Sequence, residues 1–173
     1  MYRRIDDFRK HWQEEVEDTL KVLNAIPDAK LDQAVTPEHR DLRRLAWHLA
    51  SSIVSLPAEL GLTVDGPKVS PQGADLETPS ESIRELRAVY AKAAASLLEQ
   101  LKGWDDADLL VEDTMFGHMV WARGYSLMAL AMHQAHHRGQ MTVLMRQAGL
   151  RVPEFYGPTK ESWAGMGVPA PTV

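Results

Sequence analysis

The segment MHQAHHRGQM, Met132 to Met141, carries three of the chain's seven histidines. Residues four apart on a helix are near neighbours on one face, so His133 and His137 can grip one ion together; His133 and His136, three apart, form an alternative pair. Projection at about 100° per residue separates the two options. Leu130, His133, His137, Met141, Leu144 and Ala148 fall within one narrow arc, whereas His136 points roughly 100° away, beside Gln140, Val143 and Gln147. His133 and His137 therefore face the interior and His136 the flank. Burying a polar ring without a partner costs on the order of 1–3 kcal/mol. A metal ion would satisfy both rings, and so would hydrogen bonds to neighbouring helices.

Two imidazoles make a weak site, and a third ligand has to come from elsewhere. His48, in RRLAWHLASS, is the best placed. It lies roughly 100° from the centre of its own helix's apolar stripe, on the side of Asp41 and Ser52. That position suits a boundary residue facing water and equally a ligand at the rim of a cleft. His118 falls in the connection before the last helix and is expected at the surface. His39, expected in the first turn of the second helix, and His11, next to Trp12, read as surface or packing residues.

Four helices have to position these rings. The first is expected from about Arg3 to Ala25, with Ile5, Phe8, Trp12, Val16, Leu20 and Leu23 as its stripe and Pro27 as its stop. The second opens at Thr36-Pro37-Glu38, hydroxyl at the N-cap and proline at the first helical position, and ends at Gly61. Pro57 is expected to kink or shorten its last turns. Residues 62–77 read as a loop. Thr78-Pro79-Ser80-Glu81 has the form of a capping box for the third helix, which Gly103 ends. Residues 104–120 form a long connection with a short extended piece at 110–114. The fourth helix runs from about Trp121 to Ala148. The tail from Arg151 is irregular and drapes over the bundle through Phe155, Tyr156 and Trp163. The expectation is all-α: one domain over residues 1–173, a four-helix bundle with long crossover connections, residues 150–173 forming the packed tail.

Composition narrows the chemistry. The chain has 173 residues and no cysteine, so disulfides and thiolate metal sites are excluded and any metal rests on His, Asp or Glu. Formal charge is −5, without the broad positive field that nucleic-acid binding needs, so no nucleic-acid partner is expected. The charged start MYRRIDDFRK is not a signal peptide, and no apolar run approaches the roughly 20 residues that span a bilayer. A cytoplasmic protein without membrane contact is expected.

The pieces LRRLAWHLA and HQAHHRGQMTVLMRQAGL, followed by VPEFYGPTKESW, resemble the DinB/YfiT-like family of small bacterial proteins, in spacing and order over most of the chain. The run from His133 to Gln140 is the most specific element. VLNAIPDAKLDQAVTPEHR also looks like the family's first interhelical connection. The resemblance implies an up-up-down-down or related crossover bundle. It implies a divalent metal held by one histidine from the second helix and two from the fourth: His48, His133 and His137. It also implies a homodimer, and Gly139 would fit close helix approach.

Three neutral imidazoles leave coordination positions open, as at a catalytic site. Imidazole donors suit Zn, Ni, Cu or Fe, with Zn or Ni favoured here. The resemblance further implies an enzyme acting on a small-molecule substrate through an external low-molecular-weight thiol such as bacillithiol or mycothiol, as an S-transferase or isomerase. Gln134, Arg138 and Gln140 are candidate supporting residues for the ligands or for an anionic substrate, and are equally read as structural. Asp41 and Ser52 are the only nearby guesses at a base. A non-catalytic metal- or ligand-binding protein of a stress response and a plain bundle with packing histidines stand as alternatives.

Overall fold

The computed structural model describes residues 1–71 and 73–172; Gln72 of the expected loop and Val173 of the expected tail lie outside the described residues. Four long helices dominate: α1, Ile5–Asn24; α2, Leu42–Ala58; α3, Ile83–Gln100; and α4, Arg123–Gln147. A hairpin of β1, Glu112–Met115, and β2, Met119–Ala122, leads into α4. Its strands are antiparallel, pairing Glu112 with Ala122 and Met115 with Met119 around a loop in which Phe116 and Gly117 have positive φ.

The two capping signals mark turns rather than helix starts. Thr36 bonds Glu38 and His39 within a tight turn, and α2 begins only at Leu42, where the Asp41 carboxylate accepts from the Arg44 N–H at 2.7 Å. His39 accordingly precedes α2 instead of sitting in its first turn. At the third helix, Ser80 hydroxyl donates to Glu85 and the box does not close; the helix starts at Ile83. Pro57 sits in the last turn of α2, where its ring does not break the helix.

α1 packs on α3 and α4, and α2 packs on the same two helices, so the order around the bundle is α1–α3–α2–α4. Contacts give the directions. Tyr2 N–H bonds Gly124 carbonyl at one end and Glu15 meets Arg138 further on, so α1 and α4 run parallel. Arg9 bonds Leu101 carbonyl and Trp12 bonds Ala94 carbonyl, so α1 and α3 are antiparallel. Ser52 meets Gln134 and His48 meets His137, so α2 and α4 are antiparallel. The topology is up-down-down-up, the related crossover form rather than up-up-down-down.

Phe8, Trp12, Leu49, Ile53, Tyr90, Leu97, Leu127 and Met141 are fully buried between the helices. Where glycine matters for close approach is not Gly139, whose added Cβ would meet nothing within 4 Å. It is Gly124, where a Cβ would run into the carbonyl of Tyr2, and Gly66, where it would lie 2.6 Å from Val54. Among the described residues, no helix is long and apolar enough to cross a membrane.

Candidate metal centre

α2 touches both α3 and α4, so it buries two faces, and its interior side is wider than the single stripe of leucines. His48 sits on the α4 side of that surface. Across from it, His133 and His137 project from successive turns of α4, His137 buried and His133 partly so. The three rings meet. Ring centroids lie 5.1 Å apart for His48–His133, 4.5 Å for His48–His137 and 4.4 Å for His133–His137. One ligand nitrogen from each lies within 4.8 Å of the other two, and among the described residues this is the one grouping of three or more potential ligands with that spacing.

Protonation suits ligation. Burial pushes His48 down to about 4, with the charges of Arg40 and His137 acting in the same direction. Burial likewise pushes His133 down to about 3, reinforced by His137, His48, His136 and Arg40. His137 is lowered by burial, against a hydrogen bond to Gln140. All three are therefore neutral, with lone pairs free, at pH 7.

One tautomer is set by geometry. His137 Nδ1 lies 2.7 Å from the Gln140 amide oxygen, which only accepts, so Nδ1 carries the proton and Nε2 the lone pair. His133 Nε2 lies 3.1 Å from that lone pair, while its own Nδ1 is buried without a hydrogen-bond partner. A tetrahedral Zn with bonds of about 2.0–2.1 Å spaces its nitrogens about 3.3 Å apart, close to the separation of this pair. An ion between the two Nε2 atoms replaces the single proton they would otherwise have to share. The donor set and its protonation thus fit a divalent metal.

His136, as projected, is exposed on the flank, where its ring nitrogen lies 3.1 Å from the Gln140 amide nitrogen. Of the three supporting residues considered, only Gln140 touches a ligand ring. Gln134 is buried and donates to Leu49 carbonyl at 3.0 Å and Ser52 hydroxyl at 2.9 Å, tying α4 to α2 beneath the site. Arg138 is wholly buried on the opposite side, bonded to Glu15, Thr19 and Tyr156, and cannot meet a substrate. Asp41 is occupied as a helix cap, and Ser52 donates to Leu49 carbonyl, so neither serves as a base. His118 bonds Phe116 carbonyl in the hairpin loop, and His11 lies between Tyr2 and Glu15 on the α1 side.

A cleft of about 340 Å³ opens from solvent onto His137, walled by Leu45 and Leu144 and edged by Gln140, His39 and Arg40. Sequence reasoning missed His39 and Arg40, because the chain turns back over α4 before α2 begins, a reversal for which only Pro37 gave any signal. A wider cleft of about 540 Å³ lies elsewhere, near Ser55 and Pro71. Its carboxylate, Glu59, accepts from the Phe116 N–H.

The lowered histidine pKa values carry a stability consequence. In the unfolded chain His48 and His133 protonate near pH 6.5, in the folded metal-free protein only near pH 4 and pH 3. The unfolded state binds more protons in that window, so stability is fully present above about pH 6.5 and is lost as pH falls toward 4. The urea midpoint of metal-free protein is expected to drop between pH 7 and pH 5, and to drop less in a His48→Gln, His133→Gln variant. An equal drop in both proteins would refute the assignment.

A model of the DinB family matches residues 1–171. The chain is 39% identical to the "Uncharacterized protein YrdA" of Bacillus subtilis (strain 168) over 172 residues, 99% of each chain. A crystal structure of a DinB-like protein from Bacillus cereus ATCC 10987 superposes with a TM-score of 0.81 at 36% identity, covering 90% of this chain and 100% of that one. A second DinB-like protein, YjoA from Bacillus subtilis, shares the fold at a TM-score of 0.65 and 15% identity, covering 88% and 99%. With the helical bundle and the three facing histidines, the full-length match shows that the chain belongs to the DinB family.

Proposed function

We propose that His48, His133 and His137 hold one divalent metal, Zn or Ni, and that the protein is a metal-dependent enzyme acting on a small molecule. The observation that carries this reading is the meeting of three neutral imidazoles, one of which, His137, lines a cleft open to solvent. Bound there, the ion supplies Lewis acidity, favouring the ionised form of a thiol or water. The chain's own residues do the rest. Gln140 holds the His137 tautomer, Gln134 fixes the spacing of α2 and α4, and Leu45 and Leu144 limit water around the site.

The chain has no cysteine to act as nucleophile, which supports an external low-molecular-weight thiol as co-substrate in an S-transfer. The thiolate sulfur would form the new bond to carbon, and the leaving group would depart with the bonding pair.

Elemental analysis of the protein as purified, and after dialysis against Zn or Ni, tests the first half. Absence of metal in both eliminates the enzyme. Loaded protein is then screened with small thiols and electrophilic acceptors. Metal without turnover in any combination leaves a metal-binding protein with no catalytic role.

Gln140→Ala is expected to weaken metal affinity about 10- to 100-fold, as loss of a partner that orients a ligand does. Competition against a chromophoric chelator measures it, and an unchanged affinity would mean that the amide does not set the ring. The reading includes a homodimer. Tyr125 and Met132, two turns apart on the same face of α4, are exposed, which supports a second chain against that side. Light scattering coupled to gel filtration, giving a monomer mass at micromolar concentration, would remove it.

A further inference from the structure

Arg40 and Arg44 both lack a carboxylate partner among the described residues, but of the two only Arg40 lines the cleft. Arg43, three positions on, meets Asp32, Asp41 and Glu81. Arg40 meets no carboxylate among the described residues, although acidic side chains outnumber basic ones in the chain by 24 to 19. It stands at the edge of the cleft that opens onto His137, and no residue lining that cleft is acidic. An unpaired guanidinium beside a cation-binding cluster makes a local field that attracts anions.

The rest of the cleft is apolar. Leu45 and Leu144 form its walls, and Val35 and Val143 flank its mouth at 61% and 55% exposure. Aliphatic side chains left this open beside a pocket are characteristic of a ligand-binding groove. A volume of about 340 Å³ lies at the small end of ligand pockets, which run from about 300 to 1,000 Å³.

We propose that this cleft binds a small amphipathic monoanion, its acidic group paired with Arg40 and its hydrocarbon part against Val35, Leu45, Val143 and Leu144. Arg40 is thus the residue that selects the charge of the substrate. The inference deepens the enzymatic reading by naming a substrate class, and it rests on that reading only for what happens at His137. Guanidinium suits a carboxylate, since its fork donates two parallel hydrogen bonds. A phosphate monoester would carry a second negative charge for which the cleft has no second arginine or lysine.

The test is calorimetric titration with octanoate and with 1-octanol, on Zn-loaded protein and on protein stripped by chelator. Octanoate is expected to bind about tenfold more tightly than octanol in both states, as one charge-assisted hydrogen-bonded pair provides. Arg40→Gln should abolish the preference, and Arg40→Lys should keep part of it. Amide shifts at Val35, Leu45 and Leu144 should locate the ligand. Equal affinities in the wild type, a preference intact in Arg40→Gln, or shifts confined to another surface would each overturn the proposal. The stripped protein separates the two readings: failure to take up metal leaves the octanoate comparison standing, and absence of anion preference in a metal-loaded protein leaves the ligand assignment standing. Arg40 is exposed and lies outside the helices, so its substitution leaves the bundle folded.

Discussion

His133→Ala is expected to abolish stable metal binding. The metal content after gel filtration should fall from about one ion per chain to near zero, with affinity down by at least about 100-fold. Losing a partner that merely orients a ligand costs about 10- to 100-fold, and losing the ligand itself costs more. The reason is geometric. His133 is the ring whose Nε2 stands 3.1 Å from the His137 lone pair, so its removal leaves two donors from different helices. His48→Ala should behave alike, and His136→Ala should not, because His136 faces solvent. A thermal shift gives an independent readout. A ligand at 100 times its dissociation constant stabilises the folded state by about 2.7 kcal/mol. Loading should therefore raise the melting temperature of the wild type and of His136→Ala, and leave His133→Ala unmoved. If His133→Ala retained metal with wild-type affinity, the three-histidine assignment would be wrong.

Arg138→Met is expected to destabilise the protein by about 3–5 kcal/mol, the cost of removing one partner of a buried ion pair. Arg138 is fully buried. Its guanidinium meets the Glu15 carboxylate at 2.8 Å, the Glu15 carbonyl at 3.1 Å and the Thr19 hydroxyl at 3.0 Å, and also touches Tyr156 hydroxyl. It lies 5.2 Å from the Phe155 ring centroid and 5.0 Å from that of Tyr156. One side chain thus fastens α4 to α1 and holds the tail against both. Without it, Glu15 remains enclosed with no guanidinium opposite. Replacing both residues, as Arg138→Met with Glu15→Leu, should recover much of the loss, because a buried pair and a well-packed apolar substitute are often close in free energy. Urea unfolding of the two single variants and the double variant completes the cycle. A single-variant loss below about 1 kcal/mol would show that the pair is solvated in solution.

α1, α2 and α3 were legible because each repeats apolar residues at three- and four-residue steps over 17 or more positions, whereas the buried face of α4 also carries Ser126, Gln134, His137 and Arg138. Their starts were less so. Thr36-Pro37-Glu38 and Thr78-Pro79-Ser80-Glu81 carry genuine local hydrogen-bonding chemistry, but a hydroxyl or carboxylate that can cap a helix can equally close a turn. Asp41, without a proline after it, turned out to be the cap. The hairpin was half seen, as an extended piece at 110–114. Each strand is four residues long and mostly unburied, too short for alternation to rise above noise.

At the site, spacing alone gave the facing pair on α4 and set His136 aside. His48 needed the family resemblance, because a one-stripe reading of α2 cannot anticipate a helix buried on two sides. For Arg138 the sequence left a supporting and a structural role equally open, and the structure shows the structural one. Its partner, Glu15, lies 123 residues earlier.

The order of the helices around the bundle has a consequence for how the molecule comes together. α1 and α2 sit diagonally, as do α3 and α4, and α2 and α3, although adjacent, point the same way. No two consecutive helices can zip up as an antiparallel hairpin, the quick local step open to simpler bundles. The first lasting contacts must instead close long stretches of chain, such as the 85-position separation of Leu49 and Gln134, at a corresponding entropic cost. Folding should be slow for an all-helical protein of this size. A chain cut between α2 and α3 would yield two fragments, neither of which can assemble a hydrophobic interior until it finds the other.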